Sequence, residues 1–397
     1  MKKLLLWLMV VTVVVSMVAA FSLAGCKTAT TETTAAETTA AETTVAETTQ
    51  TTVDKDKANI RIGVSFADFE LEKWPREAAI MTDVAAKNKV QLITQVANHD
   101  VRLQNDQIEN LAAQGCDVII IIAEDSKAAA TAVEKVNQEG IPVIAYDRMI
   151  YTDKISCYIT GDPVENGRNQ AKAILNIIKK GRFVLLGGHP ADNNALSMRI
   201  GQLEVLQPYI DSGDIKIVAD QWVENWDATN ALKIMENILS AQANQIDAVV
   251  AMNDSTALGA IQALRAQKLN GKIPISGLDA TLAGCQAVVA GDLTCTLFRD
   301  PKARASAAIE IAIQIAKGND ITGIKIPDLV ITPNVLLSEI IADKAIAETI
   351  KGSVIYVKSA HILVTKDNIY DTVVKTGYQT WEDVYKDVPE AERPPKP

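Results

Sequence analysis

Residues 118–148, VIIIIAEDSKAAATAVEKVNQEGIPVIAYDR, hold two short apolar runs separated by a longer amphipathic stretch. The runs at 118–122 and 143–146 are apolar throughout and have the length of strands, whereas 127–138 has the length of a helix. Strands that are apolar on both faces and alternate with helices predict a parallel sheet covered by helices.

The same alternation extends in both directions from this stretch. Further strands are predicted at 60–66, 90–96, 184–186, 215–218, 248–252, 273–275 and 293–297. Helices are predicted at 104–114, 166–180, 229–242 and 255–266. About nine strands exceed one open sheet of typical size, so the prediction is an α/β fold with two doubly wound parallel-sheet lobes. A (β/α)8 barrel is the alternative, but the irregular segments 151–158 and 325–333 disfavour it.

The first 57 residues differ from the rest of the chain. Two lysines, an apolar run and the tetrapeptide Leu23-Ala24-Gly25-Cys26 predict an export signal over 1–25. The tetrapeptide resembles the lipobox of bacterial lipoproteins, which implies that Cys26 becomes a lipidated N-terminus. An uncleaved membrane anchor is the alternative, and both place the bulk of the chain outside the cytoplasm.

Residues 26–57 are rich in threonine, glutamate and alanine. Glutamates recur every five residues from Glu32 to Glu47, a period that fits neither a helix nor a strand. We expect a solvated tether that separates the folded part from the membrane.

Composition and motifs exclude several classes of function. The formal net charge of −10 argues against a nucleic-acid partner. The sequence has no zinc-protease, nucleophile-elbow, Walker A or dinucleotide motif, so we expect no enzyme, cofactor or metal. A solvated or capping role is predicted for the three histidines, His99, His189 and His361. Buried free thiols are predicted for Cys116, Cys157, Cys285 and Cys295, with Cys285–Cys295 the first pair to check for a disulfide.

Polar side chains follow several predicted strands, at the sheet edge where ligands of open α/β sheets bind. They are Lys73-Trp74, Asp147-Arg148, Asn193-Asn194, Asn253-Asp254 and Asp279. Both signs of charge, amides and an aromatic ring together suit a neutral polyol, whose hydroxyls need donors and acceptors.

Each of these residues has a structural alternative. Asp147 and Arg148 could form an internal ion pair, and Asn193-Asn194 could form a capped turn. Asp254 is better explained as a helix N-cap than as a ligand group, and Asp279 could be a cap as well. Tryptophans at such positions, here Trp74 and Trp226, more often belong to the core.

Four segments carry a family resemblance: Tyr146-Asp147-Arg148-Met149-Ile150, residues 187–195 (GGHPADNNA), residues 220–223 (DQWV) and residues 231–237 (ALKIMEN). With them, residues 58 to about 322 resemble the type I periplasmic sugar-binding proteins of ABC importers, and within these the subgroup that binds D-xylose. The resemblance implies two lobes joined by three crossovers. The N-terminal lobe would be 58–160 with about 300–330, the C-terminal lobe 161–299 with about 331–365, and 366–397 would be a C-terminal tail.

The resemblance also implies the roles of individual residues. Trp74 and Trp226 would sandwich the sugar ring. Its hydroxyls would bond to Asp147, Arg148, Asn194, Asn253 and Asp279. Lys73 and Arg299 fit the site but depart from the family, which has arginine and lysine there respectively, and Leu278 replaces a polar residue. These changes leave the sugar open among xylose, glucose, galactose and arabinose.

The function that the resemblance implies is a non-enzymatic, monomeric sugar receptor, lipid-anchored on the outer face of the cytoplasmic membrane or the periplasmic side. It would bind an aldose such as xylose between closing lobes and deliver it to an ABC permease. The alternative is a sugar-sensing input protein that docks on a chemoreceptor or a histidine kinase.

Overall fold

The computed structural model describes residues 60–397. The predicted export signal, the lipidated Cys26 and the tether therefore lie outside the described residues. Within the described part, no helix is long and apolar enough to cross a membrane.

Strands and helices alternate along the chain, as the periodicity predicts. The strands are β1 (Arg61–Phe66), β2 (Gln91–Val96), β3 (Val118–Ile121), β4 (Val143–Tyr146), β5 (Cys157–Thr160), β6 (Gly181–Leu186), β7 (Ile215–Gln221), β8 (Ala248–Ala251), β9 (Thr296–Phe298), β10 (Leu329–Leu336), β11 (Ser353–Ser359) and β12 (Ile362–Val364). The longer helices are α1 (Lys73–Lys87), α2 (Val101–Ala113), α3 (Ala129–Gln138), α4 (Pro163–Leu175), α5 (Asn193–Asp211), α6 (Ala228–Ala241), α7 (Asp254–Ala266), α8 (Leu282–Ala290) and α9 (Pro301–Ala316). Three one-turn helices follow, α10 (Leu337–Ile340), α11 (Lys344–Ala347) and α12 (Trp381–Val384).

The first lobe is built on a seven-stranded sheet in the order β10-β11-β5-β4-β3-β1-β2. Its strands pair in parallel except β10, which runs antiparallel to β11 at the edge. Strands β3, β4 and β5 are buried at every residue because helices cover both faces of the sheet. Helix α9 packs against α1 and β1 on one of these faces.

The second lobe contains the parallel sheet β7-β6-β8. Single bridges from Val249 to Ile275 and from Ser276 to Cys295 extend it towards β9, which pairs with β12. The predicted strand at 273–275 is reduced to these bridges. The predicted α/β fold with two lobes is confirmed, and the chain crosses between the lobes after β5, after β9 and after β11.

One predicted boundary is wrong. Residues from about 331 to 365 were assigned to the C-terminal lobe, but β11 pairs in parallel with β5 of the first sheet, and β10 extends that sheet further. The open edge of β5 offers a row of unpaired backbone groups, which β11 satisfies. The third crossing therefore lies at 359–362.

The C-terminal segment, residues 366–397, packs on the second lobe. Ile369, Val373 and Tyr385 are buried in the same apolar cluster as helix α8 residues such as Val288. The four cysteines of the described part are buried free thiols, as predicted: Cys116, Cys157, Cys285 and Cys295.

Candidate functional site

One cavity lies between the two lobes, at the carboxyl ends of their strands. Eight of the nine predicted site residues line it: Lys73, Asp147, Arg148, Asn194, Trp226, Asn253, Asp279 and Arg299. The crossings add further lining residues, among them Thr160, Gly161, Arg304 and His361. The structure therefore brings residues as far apart in sequence as Lys73 and His361 to one place, as expected for the strand-end edge of an α/β sheet.

Asp147 is held in an unusual backbone conformation directly after β4. Its φ is 60°, in the left-handed region that only a few residue types tolerate. Its carbonyl oxygen accepts hydrogen bonds from Tyr158 Oη (3.0 Å), Thr160 Oγ1 (2.7 Å) and Asn194 Nδ2 (2.9 Å). These three bonds, one of them from the second lobe, fix the strained residue in place.

Two more lining residues share this feature. Trp226 has a φ of 57° and Asp279 a φ of 103°. Non-glycine residues with positive φ cost on the order of 1–3 kcal/mol each, and they cluster at binding and active sites. Three of them lie around this one cavity, which agrees with a functional site there.

The wall formed by the first lobe is a network of buried charges. Asp147 pairs with Arg304 and, at 3.1 Å, with Arg299. Glu77 pairs with Arg304 at 2.9 Å and accepts a hydrogen bond from Tyr146 Oη at 2.7 Å. Burial opposes ionisation of Asp147, but the nearby cations, Lys73 first, outweigh it and lower the pKa of this carboxyl.

Lys73 joins the two lobes across the cavity. Its Nζ lies 3.7 Å from Asp147 Oδ1 and 3.4 Å from Asp279 Oδ1. Burial alone would lower the pKa of Lys73, but these two carboxylates reverse the effect and raise it.

Trp74 is the predicted residue that does not reach the cavity. Its side chain is fully buried and packs edge-on against Phe66, with the ring centroids 6.2 Å apart. The Nζ of Lys73 lies over the Trp74 ring, 4.4 Å from its centroid. The guanidinium of Arg148 lies over the same ring, 5.8 Å from its centroid, so Trp74 packs directly behind two residues that line the cavity.

Arg148 lines the cavity and also forms internal ion pairs, which were the alternative to a sugar-binding role. Its partners are Asp192 at 3.1 Å, Glu124 at 3.3 Å and Asp68 at 3.7 Å, not the adjacent Asp147. Burial works against the charge of Arg148, yet these carboxylates raise its pKa.

The adjacent asparagines at the start of α5 have different roles. Asn194 lines the cavity, whereas Asn193 contacts the first lobe beside it. Asn193 Oδ1 accepts from Ala342 N (2.8 Å) and Tyr151 Oη (3.2 Å), and its Nδ2 donates to the Ile340 carbonyl (3.0 Å). The turn is capped, as the alternative expects, but Asp192 is the cap residue.

The start of α7 corrects another expectation. Asn253, not Asp254, is the N-cap, and its Oδ1 accepts from Thr256 N at 2.9 Å. Asp254 instead lies behind Asp279, where it accepts from Thr281 N (2.8 Å) and Thr296 Oγ1 (2.8 Å). Burial, reinforced by the charge of Asp279, raises the pKa of Asp254 to about 7.

Several lining residues escaped the sequence analysis, among them Arg304 and His361. Arg304 lies in the first turn of α9, where an arginine has no distinctive spacing. His361 was predicted to be solvated or to cap a helix, but it lies in the third crossing and lines the cavity. Burial and the charge of Arg304 lower the pKa of His361 to about 3. The other histidines contact glutamates: His99 contacts Glu124, and His189 contacts Glu224.

Three buried polar atoms of the cavity residues have no hydrogen-bond partner within the described part of the protein. They are Trp226 Nε1, Arg299 Nη1 and His361 Nδ1. Buried polar groups are nearly always paired in folded proteins, so these atoms suit a ligand that offers hydroxyl groups.

The cluster closest to a metal-binding geometry within residues 60–397 is Asp68, His99 and Glu124. Arg148 already pairs with both carboxylates of this cluster, and its guanidinium supplies the positive charge that a metal would bring. We therefore assign no metal to it.

Residues 62–320 match the family model described as a periplasmic binding protein domain. The chain belongs to this family. Among curated relatives of this binding protein, the D-xylose-binding periplasmic protein of Escherichia coli is 41% identical over 336 residues, which cover 83% of this chain and 93% of the relative. The protein of the same name from Haemophilus influenzae is 39% identical over 327 residues, 82% of this chain and 92% of the relative.

A solved structure gives the same result for the fold of this periplasmic binding protein. An ABC transporter solute-binding protein from Clostridium phytofermentans with bound β-D-glucose superimposes with a TM-score of 0.69 at 26% identity, covering 82% of this chain and 99% of the other. The relatives are named as binding proteins, in agreement with the predicted non-enzymatic role.

Proposed function

We propose that this protein is the substrate-binding component of a sugar ABC importer and that it binds D-xylose or a related aldose between its lobes. The observation that carries the proposal is the cavity, which combines eight predicted sugar-binding residues with three buried polar atoms that have no protein partner. The identity to xylose-binding relatives supports the choice of sugar class.

The charges around the cavity support a neutral ligand. Asp147 is already paired with Arg299 and Arg304, and Asp279 with Lys73, so neither sign of charge is left in excess for an ionic ligand. Trp226 offers an aromatic face for the C–H groups of a sugar ring, while its Nε1 is a free donor. A pyranose has C–H groups that can pack on this face and hydroxyl oxygens that can accept a hydrogen bond from Nε1.

The test is a calorimetric titration with D-xylose, D-ribose, L-arabinose, D-galactose and D-glucose, followed in parallel by tryptophan fluorescence. We expect saturable binding of one sugar per chain. Failure to bind any of these aldoses would remove the proposal.

Two variants test the assignment of the site. Trp226→Ala and Asp279→Ala should each weaken binding by at least about tenfold, equivalent to about 1.4 kcal/mol, while the protein stays folded. Trp222→Ala is the matched control, because Trp222 packs against Arg199 outside the cavity lining. Wild-type affinity in both site variants would contradict the site.

We also propose that the protein is an exported monomer anchored through a lipidated Cys26, which would hold it near the permease. Stable anchoring takes two or more acyl chains, as a lipobox cysteine would carry. Metabolic labelling with a radioactive fatty acid should label the wild type and not Cys26→Ala. Delivery to a permease is tested by sugar uptake into cells that lack the chain, with and without the wild-type gene restored.

A further inference from the structure

The C-terminal segment, which the sequence analysis left without a role, reaches the edge of the cavity at Tyr378 and Gln379. Gln379 is buried, with 3% of its surface exposed. The ring of Tyr378 packs against Phe298, with the centroids 4.9 Å apart, at the second crossing between the lobes. Neither side chain lines the cavity, but Tyr378 contacts the backbone of the lining residue Asp279, and Gln379 contacts the backbone of the next residue, Ala280.

On the second lobe, the two side chains hold a strained backbone. Asp279 and Ala280 are consecutive non-glycine residues with φ of 103° and 48°. Tyr378 Oη donates to the Asp279 carbonyl at 3.3 Å, and Gln379 Nε2 donates to the Ala280 carbonyl at 3.1 Å. An alanine gains nothing from a left-handed conformation, so outside contacts have to stabilise it.

On the first lobe, the same residues contact the start of α1. Arg76 donates to the Tyr378 carbonyl at 2.8 Å and to Gln379 Oε1 at 2.9 Å. Gln379 Nε2 also donates to Glu72 Oε1 at 3.2 Å, and Glu72 Oε2 accepts from Leu282 N at 3.0 Å. Glu72 directly precedes Lys73, so this contact lies one residue from the cavity.

We propose that Tyr378 and Gln379 are positioning residues of the binding site. They fix the backbone that aims Asp279 into the cavity, and they join it to the start of α1, so that Lys73 and Asp279 face the ligand from opposite lobes. The contribution to sugar affinity rests on the proposed function. Because the bonds of Gln379 span the lobes, they stabilise the arrangement in which the lobes touch, and their loss should act on the rate of sugar release.

The first test measures xylose affinity in Gln379→Ala, Gln379→Glu and Tyr378→Phe. The glutamate variant keeps the shape of the side chain and its contact with Arg76, but it removes the donor to Glu72 and the Ala280 carbonyl. We expect the dissociation constant to rise at least about tenfold in both Gln379 variants, mainly through faster release, and a few-fold in Tyr378→Phe.

Gln286→Ala is the control, because Gln286 Nε2 donates to the Asp383 carbonyl and fastens the same C-terminal segment to α8 away from the cavity. It should leave xylose affinity unchanged. A role limited to attaching the segment would instead weaken binding equally in Gln286→Ala and Gln379→Ala, or leave Gln379→Glu at wild-type affinity. Either result would overturn the inference.

The second test needs no sugar. Amide hydrogen exchange over residues 279–282 should be at least about fivefold faster in Gln379→Ala than in the wild type or Gln286→Ala, because the strained Ala280 loses an anchor. Unchanged exchange would overturn the positioning role. If the wild type binds no aldose, the proposed function fails and exchange alone decides this inference. If the wild type binds and the Gln379 variants bind equally well, only this inference fails.

Discussion

The two lobes bury carboxylates beside the same cavity but neutralise them differently. In the first lobe, Glu77 and Asp147 face the buried guanidinium of Arg304. In the second lobe, Asp254 accepts hydrogen bonds only from Thr281 and Thr296, and no lysine or arginine of the described residues pairs with it.

The two sides of the cavity are therefore ordered by different interactions, and we call the side formed by each lobe its wall. In the first wall, arginines of the protein neutralise the carboxylates, so its side chains are held in place without a ligand. The cost is a set of buried ions, each of which depends on its partners. The second wall contains Asp254, whose pKa burial raises to about 7, and Asp279, whose partner Lys73 comes from the other lobe. It also contains residues with positive φ. We therefore expect substitutions in the first wall to affect stability most, and changes in the second wall to follow pH and ligand.

Among the proposed substitutions, Arg304→Met in the first wall should destabilise the protein most. It leaves Glu77 buried without its main counter-charge and removes one of the cations that face Asp147, so we expect a loss of about 3–5 kcal/mol in the free energy of unfolding, measured by urea denaturation. Arg168→Met is the matched control, because its pair with Glu204 is 36% and 46% exposed and should cost less than about 1 kcal/mol. Equal stability of the two variants would remove the contrast between a buried network and a surface pair.

Asp254 tests the second wall through pH. Its pKa in the folded protein, about 7, exceeds the ordinary value of 3.8, so the folded state binds this proton more tightly than the unfolded chain. The free energy of unfolding should therefore fall as pH rises from about 4 to about 7, by a few kcal/mol in total. Asp254→Asn cannot ionise, so the stability of the wild type relative to this variant should decline over that range.

The surroundings of Asp254 limit which changes are informative. A Cβ at Gly277 or Gly284 would lie 2.2 Å from an oxygen of Asp254, so both glycines are needed for the close approach. The isosteric asparagine is therefore the appropriate substitution. Asp153→Asn, at an aspartate whose side chain is 44% exposed, is the control. A parallel pH profile for the wild type and Asp254→Asn would show that Asp254 is not protonated on folding.

His361 should make the free energy of unfolding rise with pH, opposite to the effect of Asp254. Its pKa in the folded protein, about 3, lies below the ordinary value of 6.5, so the unfolded chain binds this proton more tightly. The contribution of neutral His361 to the free energy of unfolding is fully present above pH 6.5 and is lost as pH falls towards 3. At pH 5 the loss amounts to roughly 2 kcal/mol. His361→Gln should flatten this part of the profile when unfolding is measured between pH 4.5 and 7.5. If the variant and the wild type lose stability equally, His361 is protonated without cost.

Local pattern predicts one part of this molecule well. The strand ends that carry Asp147, Asn253 and Asp279 follow from apolar runs and helix signals that lie within about 15 residues of each. The orientation of Trp74 is harder to predict, because a shift of one residue in the start of α1 rotates a side chain by about 100°.

Other site residues have no local signature. Arg304 and His361 reach the cavity at or just after crossings between the lobes, and Gln379 lies beside it on a segment that packs on the second lobe. The third crossing was misplaced for the same reason, because β11 is defined by the open edge of β5 and not by its own pattern. Tertiary contacts, not propensity, determine this half of the site.

The smallest expected effect concerns Lys73 and Arg299, the two positions at which the resemblance implies a different residue. Arg299 Nη2 contacts both Glu77 and Asp147, while its Nη1 has no protein partner, and a lysine would lose that separate donor. An arginine at position 73 is larger than lysine and would take space from a ligand between Asp147 and Asp279.

We expect Lys73→Arg to favour xylose over glucose by a few-fold, because glucose carries an additional hydroxymethyl group. We expect Arg299→Lys to weaken the binding of both sugars. Since both residues contact Asp147, the double variant should deviate from the sum of the single effects in a double-mutant cycle of calorimetric affinities. An unchanged xylose-to-glucose ratio in all three variants would mean that the first wall fixes the cavity without selecting the sugar, and selectivity would then belong to the second wall.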